Sequence, residues 1–344
     1  MTKVLFSGLR TKSRIKFQGL SMHIIDEILR REEFSGNPPV LVDIGASGAI
    51  HPKWRRIAPY SVCIAFDADE REMGFAAHET KGYRKLYIIN RIVTAQSSAT
   101  AQFYLTKSPY CSSLLKPDQQ SLDQWAFGGL FEVDRVASLE TVTLQSVLEK
   151  LGIGKIDWFK TDSQGTDLRL FRSLGDGLIR RVLVAEFEPG IIDAYKGEDK
   201  LRSLMTFMDD QPFWMSDLEI KGTQRMKRDT FENRLSPIEQ RLLGNLMKIA
   251  PGWGEVTYIN TFSKTADYLD KRDYLLGWIF AVIEKHYGFA LEIAEHASAR
   301  FPDPIFDEMQ KYTWRSIKLE YSKFPSYLIR GAIKFLNRIM GTAG

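Results

Sequence analysis

The stretch Val40-Leu-Val-Asp-Ile-Gly-Ala-Ser-Gly48 decides how the rest of this chain is read. Four apolar residues, Val40, Leu41, Val42 and Ile44, carry a single carboxylate, Asp43, and then break into Gly45, Ala46, Ser47 and Gly48. A short, nearly continuous apolar run marks a strand covered on both faces, as in a parallel sheet. Small residues at its end let a ligand approach the backbone, and ligands of open α/β sheets bind beyond the carboxyl ends of the strands. The spacing lacks the third glycine of a G-x-G-x-x-G turn, so later strands must complete the argument.

Further strands are expected at 61–66, 86–93, 156–161, 182–187, 213–218 and 255–260. Shorter extended pieces are expected at 101–105 and, as two pieces, within 131–144. Helical spacing occupies 21–31, 145–151 (closed by Gly152), 168–174 and 201–208, and residues 54–57 are expected to open a helix after the first turn. Strands alternating with helices imply βαβ units in a mostly parallel sheet with right-handed crossovers. That topology brings the ends of 40–44, 61–66, 156–161 and 182–187 to one edge. Four helices are expected near 275–286, 289–299, 311–322 and 327–340. The chain therefore divides into a basic lead-in and helix (1–37), a sheet domain (38–264) and a helical extension (265–344).

The net charge of +4 is unevenly spread. Lys3, Arg10, Lys12, Arg14 and Lys16 have no acidic neighbour before residue 20, and residues 311–344 set seven basic side chains against Glu320 alone. The 327–340 helix places Leu328, Ile329, Ile333, Leu336, Ile339 and Met340 near one face, which suits docking or peripheral contact with a membrane. Basic residues interleaved with aromatics across one face are missing, so nucleic acid is not an expected partner. With Cys63 and Cys111 as the only cysteines, no disulfide framework is expected. No signal-peptide pattern opens the sequence, and the apolar run 275–283 is too short to span a bilayer. A cytoplasmic protein, peripheral at the inner membrane face through its basic tail, is the expectation.

Three places carry chemistry. Asp67 ends the second strand 24 positions after Asp43 and suits the hydroxyls of a cofactor ribose. Asp162-Ser163-Gln164-Gly165 turns over the edge at the end of 156–161. Glu186 and Glu188 share a face of the strand 182–187, where they suit hydroxyl binding, a general base or a divalent metal such as magnesium, with Asp162 as a third ligand. Of the five histidines only His51 lies beside this edge, and none shows metal-ligand spacing.

The segments Val42-Asp-Ile-Gly-Ala-Ser-Gly48, Cys111-Ser-Ser-Leu114 and Phe159-Lys-Thr-Asp-Ser-Gln-Gly-Thr-Asp-Leu168, together with Glu186-Phe-Glu188 and Tyr195, resemble the FkbM family of S-adenosylmethionine-dependent methyltransferases. The resemblance implies a class I, Rossmann-like fold: seven strands, mostly parallel, the last antiparallel. It also implies O-methylation of a hydroxyl of a sugar or of a polyketide-type natural product; with the basic tail near a membrane, a glycan or glycolipid precursor is the expected acceptor. By similarity Asp43, Gly45, Ala46, Ser47 and Gly48 cradle the methionine portion of the cofactor and Asp67 holds its ribose. Asp162 or Glu186 takes the acceptor's proton, while His51, Ser113, Gln164, Glu188 and Tyr195 position the acceptor. Asp67 and Asp167 stand where the family usually has glutamate. Two other readings stay open: a non-catalytic methyltransferase-fold interaction module, and an NAD-linked oxidoreductase on a related sheet.

Overall fold

The computed structural model describes residues 23–46, 50–67, 82–263 and 267–321. It divides into two compact units. The larger, Gly36–Tyr268, contains every strand among the described residues. The smaller brings the helical residues 23–29 and Glu32–Ser35 together with the helices Lys271–Ile283, Tyr287–Arg300 and Ile305–Tyr321. The expected helix at 327–340 lies outside the described residues, as does the basic segment before residue 20.

Among its described residues the larger unit has ten strands: β1 (Val40–Ile44), β2 (Val62–Phe66), β3 (Lys85–Ile89), β4 (Ile92–Val93), β5 (Thr100–Thr106), β6 (Val133–Val142), β7 (Trp158–Thr161), β8 (Val184–Phe187), β9 (Phe213–Thr223) and β10 (Ala250–Asn260). Seven form one sheet in the order β3-β2-β1-β7-β8-β10-β9. All pairs from β3 to β8 are parallel, and β10 runs antiparallel to both β8 and β9. This is the Rossmann-like methyltransferase architecture, with its antiparallel strand inserted near one edge. One face is covered by Leu144, Val147, Leu148, Leu168, Phe171, Leu204 and Met208 from three helices, which pack on Val42, Ile64, Phe159, Ala185 and Phe187. The first of these helices, Leu144–Leu151, is capped by the Thr143 side chain and closed by Gly152 in the left-handed region.

Three expectations are corrected. The run 86–93 is two strands, because the chain turns at Asn90–Arg91 and β4 leaves to join β5 and β6 in a separate three-stranded sheet. The two pieces within 131–144 are one ten-residue strand, β6, held along its length by antiparallel β5. No α-helix opens at 54–57; two 3-10 turns, Pro52–Trp54 and Ala58–Tyr60, each with an early proline, carry the chain to β2 instead.

Candidate active site

The carboxyl ends of β1, β2, β7 and β8 meet at one edge, and Asp162, the residue after β7, stands at its centre. Its amide donates to the Ile44 carbonyl at 2.9 Å, which locks the turn after β7 to the end of β1. Gly45 has φ +82°, and a Cβ there would lie 2.3 Å from the Asp162 carbonyl oxygen. Glycine is therefore required where these two chain turns cross. The amides of Gly45 and Ala46 both donate to the Phe66 carbonyl, so β1 and β2 end together.

Asp162 borders three cavities. The first, about 110 Å³, is lined by Gly45, Asp67, Val93, Phe103, Ser112, Leu114 and Gln164 among others. The second, about 340 Å³, is strongly charged and lined by His51, Lys53, Lys160, Glu186, Glu188, Asp217, Glu219 and Glu255. The third, about 370 Å³, is aromatic: Tyr110, Phe127, Phe131, Tyr195 and Trp253 surround Gln164, Glu188 and Glu198. Phe127 and Trp253 are parallel, their centroids 6.1 Å apart, and Phe131 meets Tyr195 edge-on.

The turn itself is over-determined. Gln164 sits at φ +55°, a costly region for a residue with a Cβ. Three contacts hold it there. Its Nε2 donates to Asp162 Oδ1 at 2.6 Å, its carbonyl accepts from Ser113 Oγ at 2.7 Å, and the Tyr195 hydroxyl lies 2.9 Å from its Oε1. Ser113 is thus a buried brace behind the turn and does not line the three cavities. Asp167 completes the turn from below, accepting from Thr161 Oγ1 at 2.8 Å and from the Ser163 amide at 3.2 Å. Its other oxygen is buried without a hydrogen-bond partner. Burial, reinforced by the Asp162 charge, pushes Asp167 up to about 7.

Behind the edge runs a row of facing residues across six strands: Ala65, Asp43, Lys160, Glu186, Thr257 and Asp217. Asp43 accepts from Lys160 Nζ at 2.8 Å, and Glu186 accepts from Lys53 Nζ at 3.1 Å. Burial by itself would lower Lys160, yet the charges of Asp43, Asp162 and Glu186 hold its ammonium above the ordinary value. Asp43 therefore points into the charged row and does not line the Gly45–Asp67 cavity. Burial lowers His51 despite nearby Glu186 and Asp43, leaving a neutral imidazole beside Lys53. Burial, then the Asp162 charge and a hydrogen bond with the Asp162 carboxyl, push Glu188 up to about 10. Near neutral pH Glu188 therefore keeps its proton.

The structure thus brings Gly45, Asp67, Asp162, Gln164, Glu188 and Tyr195 to one edge, with His51 and Glu186 in the adjoining charged cavity. Ala46 is buried beside Gly45; Ser47 and Gly48 lie outside the described residues. Among the described residues no three His, Cys, Asp or Glu side chains are grouped to hold a metal ion; Asp162, Glu186 and Glu188 all border the charged cavity. Sequence reasoning missed Lys160, Lys53, Glu198 and the aromatic wall. The period-2 register of β1 against β7 was the available signal for Lys160, which lies directly across from Asp43.

Residues 67–213 match the family model described as a methyltransferase FkbM domain. The matched stretch runs from Asp67 to the start of β9 and contains Asp162, Gln164, Glu186, Glu188 and Tyr195. Among curated proteins and solved structures no match to the chain was found.

Proposed function

From a chain that carries an FkbM methyltransferase domain, we propose an S-adenosylmethionine-dependent O-methyltransferase acting on a hydroxyl of a sugar, glycan or glycolipid precursor. The observation that carries this reading is the position of Asp162, the shared wall of the Gly45–Asp67 cavity and of two larger cavities.

The residues of the first cavity fit the cofactor. A glycine whose Cβ would strike the opposite turn opens the strand end. Asp67 supplies the acid that a vicinal ribose diol requires, and Val93, Phe103 and Leu114 supply apolar surface for a purine. When bound, S-adenosylmethionine supplies a methyl group already activated on sulfur. The protein's task is then to orient an acceptor hydroxyl and remove its proton, because an alcohol is a weak nucleophile at neutral pH.

Asp162 is placed for the proton. Gln164 fixes the orientation of its carboxylate, Tyr195 and Ser113 fix Gln164, and Glu188 keeps a proton on the neighbouring carboxyl. The aromatic cavity suits the acceptor: the faces of Phe127, Phe131, Tyr195 and Trp253 cover the apolar faces of a sugar ring, while Glu188 and Glu198 accept from its hydroxyls. Glu186 and His51 border the charged cavity on the other side of Asp162 and orient polar groups there.

The test is calorimetric titration with S-adenosylhomocysteine and, separately, NAD. Micromolar binding of the first alone is expected, weakened about tenfold or more in Asp67→Ala. Asp162→Asn should bind it nearly as tightly as the wild type yet lose a factor of about 100 or more in methylation of a sugar acceptor. Binding of NAD in place of S-adenosylhomocysteine would overturn the reading.

A further inference from the structure

Between β9 and β10 the chain makes a helical hairpin, Arg228–Arg234 and Pro237–Leu246, that the chemistry at Asp162 leaves unused. No described side chain in either helix is fully buried. The second helix is nonetheless well formed at its start, where Ser236 and Glu239 satisfy each other in a capping box after which Pro237 opens the first turn. Ile238, Leu242 and Leu246 follow one another at helical spacing, and Ile249 lies in the extended segment just past the helix; they are 72%, 55%, 78% and 50% exposed. Helices of soluble domains turn such a stripe inward. This one turns it out.

The surrounding charge is complementary to an anionic surface. Arg225, Lys227, Arg228, Arg234, Arg241 and Lys248 stand against three acids within 225–248, Asp229, Glu232 and Glu239; Arg228 is taken up by Asp123, Glu132 and Glu232, and the other five make up the rim. Of those acids, Glu232 is held by Arg228 and Glu239 by the helix cap. An apolar stripe with a basic rim is how a helix lies in the interface of an anionic bilayer. The base of the hairpin is fixed to the segment that walls the aromatic cavity: the Arg228 amide donates to the Asp123 carbonyl at 3.0 Å, and the Ala126 amide to the Gln224 carbonyl at 3.2 Å. Leu130 and Tyr110, both exposed, line that same cavity.

We propose that residues 228–249 form a docking surface for anionic lipid bilayers, which brings the opening of the aromatic cavity to the headgroup layer. The surface is distinct from the basic tail after residue 322, and lipid docking does not depend on which group is methylated.

Co-sedimentation of the full chain with vesicles of phosphatidylcholine, with and without phosphatidylglycerol, tests it. The protein should bind the anionic vesicles and release from them in high salt. A double Leu242→Glu, Leu246→Glu variant should lose binding about tenfold or more, and Arg234→Glu with Lys248→Glu should weaken it several-fold, both with unchanged circular dichroism and melting. No binding to anionic vesicles, or full binding by the Leu242→Glu, Leu246→Glu variant, would overturn the proposal. So would a wild-type dimer that ignores vesicles and dissociates on the same substitutions, which would assign the stripe to a second copy of the chain.

Discussion

Asp162 and Asp167 lie on one turn, and their surroundings divide their work. Asp162 looks into the cavities; Asp167 sits beneath, fully buried, with one oxygen bonded and the other not. An acid raised from 3.8 to about 7 keeps its proton in the folded state where the unfolded chain has already released it. Stability attributable to this group is fully present below the unfolded pKa and falls as pH rises through the interval up to the folded pKa, by on the order of 4 kcal/mol. Asp167→Asn removes that slope. The difference in Tm between variant and wild type should therefore grow by about 10 °C between pH 4 and pH 8, measured by thermal denaturation. A flat difference would mean Asp167 does not titrate in that interval. The sequence displayed the carboxylates of this turn but not which of them faces solvent, since a one-residue change of direction at Gln164 (φ +55°) decides it.

Elements meet at the site through their ends. The turn after β1 and the turn after β7 touch at Gly45, where φ +82° and the 2.3 Å approach to the Asp162 carbonyl both exclude a Cβ. Gly45→Ala should cost about 1–3 kcal/mol in denaturant unfolding and weaken S-adenosylhomocysteine binding, because the Asp162 turn must move to admit the methyl group. Unchanged stability with unchanged binding would show that the two turns are free to separate. At this scale the sequence was largely legible: β1, β2, β7 and β8 follow apolar runs that only buried strands require. It was less legible where strands are half-exposed. β9 and β10 each run to eleven residues, well beyond the expected 213–218 and 255–260, because they pair with each other past the end of β8. Long-range partners sustain such ladders, and local composition does not report them. The turn at Asn90–Arg91 likewise depends on where β4 finds its partner in β6.

The molecule as a whole consists of the sheet unit and the helical unit, and the second is assembled from both ends of the sequence. In it Asp303 accepts from Arg31 and, at 2.6 Å, from Lys271, which also pairs with Glu33 at 2.6 Å. Arg272 stacks over Phe34, its guanidinium carbon 5.2 Å from the ring centroid. Asp303→Ala removes the acid shared by Arg31 and Lys271. Amide hydrogen exchange in residues 24–34 should then speed up about five- to tenfold, with that of β1 and β7 unchanged. Unchanged exchange in 24–34 would mean the apolar contacts of Ile25, Ile28 and Phe34 hold the segment without the ion pairs. No described helix is long and apolar enough to cross a membrane.

The class of fold and the edge that carries the candidate site are legible in consecutive residues, because buried strands and the small or acidic residues that end them are local features of the sequence. It takes the packed sheet to tie Asp43 to Lys160, to pair Glu188 with Asp162, to set Ser113 against a backbone carbonyl and to bring three cavities to one carboxylate. Those pairings join residues up to 117 positions apart, brought together by strand register and turn geometry. Register is set by the packing of the whole sheet, and no short stretch of sequence contains it.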